Sequence, residues 1–154
     1  MKNSTERSAK EPGRVRAAPA PAEQLMYSLI AAAHSVEQRV ELALEEVGLS
    51  SAKFSALTHL VEAGEALSLS ECAKLMTCVR SNITQLMDRL EAEGLVRRVD
   101  DPNDRRGVRA SVTPLGIERQ AAGAKQMAQV QKEFAKTLAG ADRDALVRVL
   151  GSIR

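Results

Sequence analysis

The sequence predicts a mainly α-helical protein that carries one small β-hairpin, and three observations favour this fold class. Of the 154 residues, 44% are hydrophobic but only 2% are aromatic, so aliphatic side chains and alanine must build the core. Most of the chain spaces its apolar residues three or four positions apart, as one face of a helix does. The stretch 96–113 instead alternates apolar and polar residues at both ends, which is typical of half-buried strands.

The first 49 residues divide into two parts. Segment 1–22 is rich in Lys, Arg, Glu, Ser, Pro and Ala and has almost no bulky apolar residue. Because it cannot bury enough surface to offset the entropy of ordering, we expect a mobile tail. From Leu25 to Val47 the apolar residues step by four and three, and Gly48 follows. This pattern predicts a long helix of about 25 residues, or roughly 37 Å.

Three shorter helices are predicted next. The first begins at a cap, either Ser50 or Ser51, and ends at Gly64. The second opens with Ser68 and Glu71, whose spacing is that of a capping box. The third contains the sequence RSNITQLMDRLEAEG, with its apolar residues on one side.

A hairpin and two further helices complete the predicted elements. The hairpin has a tip, DDPNDRRG, that we expect to be a loop of about eight residues. Thr113 then caps a long helix, Gly140 ends it, and Asp142 caps the last helix. We therefore expect one domain in four parts: a tail at 1–22, a long helix at 23–49, a central region at 50–113 and C-terminal helices at 114–154.

The order of elements in the central region is typical of a winged helix-turn-helix that binds DNA. The first turns of its third helix would face the major groove, where hydrogen-bonding side chains read base edges. The hairpin, or wing, would reach the minor groove, whose negative potential attracts arginine. The formal net charge is only +2, so the basic surface must be local. The candidate DNA-binding residues are Arg80, Ser81, Asn82, Thr84 and Gln85 on the helix and Asn103, Asp104, Arg105 and Arg106 in the tip.

The stretch LSECAKLMTCVRSNITQLMDRLEAEGLVRRVDDPNDRRGVRASVTPLG resembles the MarR family of bacterial transcription regulators. The elements DPNDRRG and TPLG carry most of the resemblance, which covers residues 50–116 well. It implies that Arg106, with Arg105, enters the minor groove, and that the flanking long helices form a homodimer. The large apolar surface of those helices independently predicts an interface. A dimer would bind palindromic double-stranded DNA with half-sites about 34 Å apart.

The resemblance also implies a repressor that a small amphipathic or aromatic ligand releases from DNA. Tyr27, His34 and Phe54 are the candidate pocket residues near the expected junction of dimer helices and DNA-binding region. One alternative is a redox-responsive regulator in which Cys78 reacts and Cys72 is buried and inert. A second alternative is a winged-helix module that binds protein instead of DNA.

Several functional classes find no support in the sequence. It has no Gly-rich phosphate loop, no G-x-S-x-G and no H-E-x-x-H, so we expect no enzyme and no cofactor. Its two histidines lack partner ligands at metal-binding spacing. No apolar run reaches the roughly 18 residues of a membrane span. Two cysteines fit a reducing compartment, so we expect a cytoplasmic protein associated with the bacterial nucleoid.

Overall fold

The computed structural model describes residues 21–76, 83–102 and 104–153, and for Ala22 and residues 104–106 it describes the backbone only. The mainly helical fold class with a small antiparallel sheet is confirmed. The described elements, in chain order, are α1 (Ala22–Glu45), α2 (Ser51–Ala63), β1 (Leu67–Ser68), α3 (Leu69–Leu75), α4 (Ile83–Ala92), β2 (Val96–Asp101), β3 (Asp104–Val112), α5 (Pro114–Thr137) and α6 (Arg143–Gly151).

The chain forms two compact units, Met1–His34 and Ser35–Arg154. The predicted tail at 1–22 lies almost entirely outside the described residues. In the first unit the structure describes the N-terminal part of α1. Its large apolar side chains are exposed, namely Leu25, Met26, Tyr27, Leu29 and Ile30.

The core of the second unit lies among α1, α2 and α4. Its largest fully buried side chains are Leu44, Leu57, Leu60, Met87 and Leu90. Burying one such side chain stabilises the fold by about 1.5–3 kcal/mol relative to leaving it in water. The aliphatic core expected from the composition is therefore present.

Side-chain caps start four of the helices where the sequence predicts them. The Ser50 hydroxyl accepts the Lys53 N–H and caps α2, which decides between the two predicted serines. Ser68 and Glu71 form the expected capping box at the start of α3, with distances of 3.2 and 2.7 Å. Thr113 caps α5, and Asp142 caps α6. Each cap contributes on the order of 1 kcal/mol.

The sheet has three antiparallel strands in the order β1-β3-β2, whereas the sequence predicts only two. The additional strand, β1, pairs Leu67 with Ala110 and Ser68 with Arg109. It has two residues and lies directly before α3, so its sequence signal is only that of a helix cap. Leu67 is buried, and the strand thereby attaches the centre of the hairpin to the core.

The hairpin loop is shorter than predicted, so the expected eight-residue tip is wrong. Strands β2 and β3 pair continuously from Val96 with Val112 to Asp100 with Val108, and Asp101 then pairs with Asp104. Only residues 102 and 103 separate the strands. The register shifts between Asp100 and Asp101, so residues 105–107 fall between two paired positions. A register shift of this kind inserts extra residues into one strand of an antiparallel pair, here β3. The backbone groups on either side of the insertion remain hydrogen-bonded to the other strand.

Gly116, the glycine of the TPLG element, lies at a close approach of two backbone segments. The Thr113 hydroxyl accepts the Gly116 N–H at 3.0 Å and donates to the Gly94 carbonyl at 2.7 Å. A Cβ atom at position 116 would lie 2.1 Å from the carbonyl oxygen of Leu95. Because that oxygen belongs to the backbone, no side-chain rotation relieves the clash.

We predict that Gly116→Ala lowers the free energy of unfolding by about 3 kcal/mol or more, since the backbone itself must move. The matched control is Gly151→Ala, because a Cβ atom there meets nothing within 4 Å. Replacing a helical glycine in open space stabilises by up to about 1 kcal/mol. Urea denaturation followed by circular dichroism measures both values, and equal effects at the two positions would contradict this account.

Candidate nucleic-acid interface

Helix α4, the predicted recognition helix, buries one side and exposes the other. Ile83, Met87 and Leu90 are buried against the core. Thr84 and Gln85, two of the predicted DNA-binding residues, are exposed in the first described turn. Their side chains are therefore available for hydrogen bonds. The other predicted residues of this helix, Arg80, Ser81 and Asn82, lie outside the described residues.

The wing places three of the predicted DNA-binding residues at one end of the hairpin. Asp104, Arg105 and Arg106 form the start of β3, at and beside the register shift. Asn103 lies outside the described residues, between the two strands. The backbone thus places both tip arginines at the point of the hairpin farthest from the Val96–Val112 end.

Arg98 of β2 connects the wing to the recognition helix, a contact that the sequence analysis missed. Its guanidinium forms ion pairs with Asp88 and with Glu91, the latter at 3.4 Å. Its backbone N–H also donates to the Glu91 carboxylate at 3.2 Å. The three side chains are between 38% and 52% exposed, so each ion pair contributes at most about 1 kcal/mol. The contact therefore orients the wing more than it stabilises the fold.

Arg109 of β3 makes a second connection, and its side chain is only 19% exposed. Its guanidinium donates to the Ala66 carbonyl at 2.9 Å, to Glu71 at 3.0 Å and to Asp101 at 3.2 Å. Hydrogen bonds from the Ser68 backbone and hydroxyl hold the pKa of the Glu71 carboxyl below its usual range, and Arg109 adds to this shift. Glu71 is therefore ionised at neutral pH and is a full charge partner for Arg109.

Cys72 occupies the core, as the sequence predicts. Its side chain is 2% exposed, and burial raises the pKa of its thiol. The thiol is therefore protonated at neutral pH, and a protonated thiol is a poor nucleophile. Cys78, the candidate redox residue, lies outside the described residues.

The three candidate ligand residues have different surroundings. Tyr27 and His34 are exposed and belong to the first unit, whereas Phe54 belongs to the second. Phe54 is half-buried and its ring packs closely against α5. The ring comes so near to Gly123 that a Cβ atom there would lie only 2.6 Å from it. Its observed role is packing. A groove of about 520 Å³ lies elsewhere in the second unit, lined from α1 by Val36, Arg39, Ala43 and from α5 by Gln129, Val130 and Phe134, among others.

The described residues also bear on metal binding and on membrane insertion. Among residues 21–76, 83–102 and 104–153, no group of three or more His, Cys, Asp and Glu is placed to hold a metal ion. His59 instead lies 3.8 Å from Glu62, one turn along the same helix. None of the helices in the described part of the chain is long and apolar enough to cross a membrane.

Comparison with known proteins connects this geometry to a family. Residues 49–108 match the model of the MarR family. The transcriptional regulator PrsX of Escherichia coli is 33% identical over 94 residues, which cover 60% of this chain and 57% of PrsX. The transcriptional repressor MdtR of Bacillus subtilis is 31% identical over 99 residues, with 62% and 63% covered. The chain thus spans less than two thirds of the length of these relatives.

A solved structure extends the likeness over nearly all of another chain. BpsR of Bordetella bronchiseptica, whose DNA binding is regulated by 6-hydroxynicotinic acid, has 26% sequence identity and a TM-score of 0.73. The likeness covers 88% of this chain and 97% of BpsR. It therefore includes helices on both sides of residues 49–108.

Proposed function

Because residues 49–108 match the MarR family model and the regulator PrsX is 33% identical, we propose that this chain is a sequence-specific DNA-binding transcription regulator that acts as a homodimer. The relatives are transcription regulators rather than enzymes. One observation carries the proposal: the polar side of α4 and the arginines of the wing tip belong to one unit whose parts are connected through Arg98 and Arg109. Such a regulator would act in the bacterial cytoplasm, in association with the nucleoid.

The proposed DNA contacts follow from this arrangement. Thr84 and Gln85, with Arg80, Ser81 and Asn82 before them, would face the major groove, where such side chains hydrogen-bond to base edges. Arg105 and Arg106 would enter the adjacent minor groove. In the tip, Asn103 would stiffen the loop and Asp104 would hold one of the arginines in place. A two-fold dimer would then bind a palindrome with half-sites about 34 Å apart.

We predict that Arg106→Ala weakens DNA binding by roughly 1–3 kcal/mol, because a minor-groove arginine contributes about that much. The probe is a duplex selected from random-sequence DNA by the full chain, measured by fluorescence anisotropy at fixed salt. Lys125→Ala, which removes an exposed positive charge from α5, is the control and should leave affinity unchanged. Unchanged affinity of Arg106→Ala refutes the minor-groove contact. If a salt series detects no DNA binding at all, the protein-binding alternative takes its place.

The proposed dimer interface is formed by α1, α5 and α6. Besides the apolar residues of α1 named above, α6 exposes Val147, Val149 and Leu150 in the single chain, and Ile153 is exposed just after it. Exposed apolar side chains in such number on one helix favour an interaction site. The match of residues 49–108 to the MarR family supports a second copy of the chain as its partner.

We predict that Val147→Glu weakens dimerisation by about tenfold or more, because a carboxylate in the interface must lose its hydration. Val147 is 68% exposed in the single chain, so the variant should fold normally. Lys74→Glu, a larger charge change at an exposed position of α3, which is outside the proposed interface, should leave the dimer intact. Sedimentation equilibrium of full chains measures both. A wild-type chain that is monomeric at micromolar concentration would rule out the dimer.

We also propose a repressor that a small amphipathic or aromatic ligand releases from DNA. The regulation of BpsR by 6-hydroxynicotinic acid and the repressor activity named for MdtR support this. A ligand can shift DNA affinity only by its differential affinity for the two states of the protein. Tyr27, His34 and Phe54 remain the candidate pocket residues.

We predict that at least one small aromatic acid raises the melting temperature of the dimer and also competes with DNA binding. A thermal-shift screen followed by anisotropy competition measures both effects. The redox alternative predicts that peroxide weakens DNA binding and that Cys78→Ser abolishes this loss. The ligand proposal fails if no acid has both effects while peroxide does act through Cys78.

A further inference from the structure

We propose that Arg109 is a positioning residue, which fixes the wing against the start of α3 and thereby sets DNA affinity without touching DNA. The inference rests on the proposed function, since it concerns how the wing is presented to the minor groove. It differs from the DNA-contact proposal because the Arg109 side chain is directed into the protein. Three intramolecular acceptors engage its guanidinium, and only 19% of the side chain is exposed.

The three acceptors belong to three different parts of the central region. The Ala66 carbonyl precedes β1, Glu71 lies in the first turn of α3, and Asp101 is the last residue of β2. Arg109 itself lies in the middle strand of the sheet, paired with Val99 on one side and Ser68 on the other. The guanidinium presents its donors in a rigid planar fork, so contacts in several directions fix its position. One side chain therefore locks the hairpin to α3.

Asp101 extends this lock to the base of the wing tip. It lies two residues beyond Val99 on β2, so its side chain is on the same face of the sheet as that of Arg109. It is also the residue at which the register shifts, directly before the tip. Its side chain is only 13% exposed, so the ion pair is shielded from solvent. Arg109 thus holds the position at which the pairing register shifts, next to Arg105 and Arg106.

The same geometry creates a repulsion if the cation is removed. Glu71 and Asp101 both contact Arg109 and repel each other across it. Without Arg109, the positive charge that separates these two carboxylates would be lost. The wing would then move away from α3. Arg98 would still hold β2 to α4, so the hairpin would keep one connection and lose its defined angle.

The direction in which Asp101→Asn changes DNA affinity distinguishes a positioning role of Asp101 from a purely electrostatic one. Removing a negative charge beside the wing tip should strengthen DNA binding if charge alone matters. If Asp101 instead anchors the tip through Arg109, the variant should weaken binding of the selected duplex by about three- to tenfold. The matched control is Asp100→Asn, which removes an identical charge from the exposed neighbouring position and should leave affinity unchanged or raise it. Equal or stronger binding by Asp101→Asn would overturn the proposal.

A thermodynamic cycle with Arg106→Ala completes the test. Arg109→Gln should weaken DNA binding about tenfold in the wild-type background and less than about twofold when Arg106 is already alanine. Arg109→Lys keeps the positive charge but not the planar guanidinium. It should therefore bind DNA more tightly than Arg109→Gln and more weakly than the wild-type chain. Equal losses in the two backgrounds would show a general structural effect and overturn the proposal. If Arg109→Gln does not fold, Asp101→Asn is used in the same cycle.

The outcomes also separate this inference from the proposed function. If Arg106→Ala does not weaken binding, the minor-groove contact of the proposed function fails, and the positioning role fails with it. If Arg106→Ala weakens binding but the effects of Arg109→Gln or Asp101→Asn are absent or additive, only the positioning role is overturned. Hydrogen exchange in the free protein gives a readout without DNA. Amides of residues 97–112 should exchange faster in Arg109→Gln, and those of α5 should not change.

Discussion

The DNA-binding region depends on the junction at Leu95, where the recognition helix, the wing and α5 meet. The Leu95 N–H donates to the Leu90 carbonyl and ends α4, while the Leu95 carbonyl accepts the Thr113 N–H at 3.0 Å. Gly94, before it, has a φ of +72°, in the left-handed region that favours glycine. The Leu95 side chain is buried in the same core as Leu90. A single residue thus sets the direction of three elements.

The backbone hydrogen bonds and apolar packing at this junction act only on the near end of the hairpin. Farther from Leu95, ion pairs help to hold the hairpin in place. Near Leu95 the wing is held by backbone hydrogen bonds and apolar packing, which have little freedom to rearrange. Farther along, Arg98 and Arg109 attach it to α4 and α3 through charged side chains that are 39% and 19% exposed. The ion pairs of Arg98, and the pair between Arg109 and the 45% exposed Glu71, are weak and sensitive to salt because solvent reaches them, whereas the pair with Asp101 is more shielded. The wing therefore becomes easier to displace with distance from the core, in the direction of the proposed DNA contacts.

The sequence predicts the helices well because the signals that start and stop them are local. Ser68 with Glu71, Thr113 and Asp142 each act within three residues, so spacing alone identifies them as caps. The clustering of the proposed DNA-binding residues could likewise be anticipated from the order of elements. Only Thr84 and Gln85, however, have described side chains that allow this to be checked, and both are exposed.

What the sequence could not predict depends on partners distant in the chain. Arg109 contacts Glu71 and Ala66 across 38 and 43 positions, and neither separation has a motif that marks it. Strand β1 exists because the edge of β3 lies beside it, since two residues alone have no strand signal. The turn-forming residues of the tip correctly predicted a reversal but not that pairing continues to Asp101. In each case tertiary contact overrides the local preference.

The assignment of the wing arginines also explains how a nearly neutral chain can bind DNA in a controllable way. Two of the hairpin arginines, Arg98 and Arg109, are neutralised by carboxylates of the same chain and contribute little to attraction for phosphate. Non-specific affinity, which depends on the number of free cations, is therefore limited. With the proposed minor-groove contacts, specific affinity would then depend on how accurately Arg105 and Arg106 are placed. If placement rather than total charge sets affinity, a small change in the angle of the wing, or in the separation of the two DNA-binding regions of the proposed dimer, would be enough to release DNA.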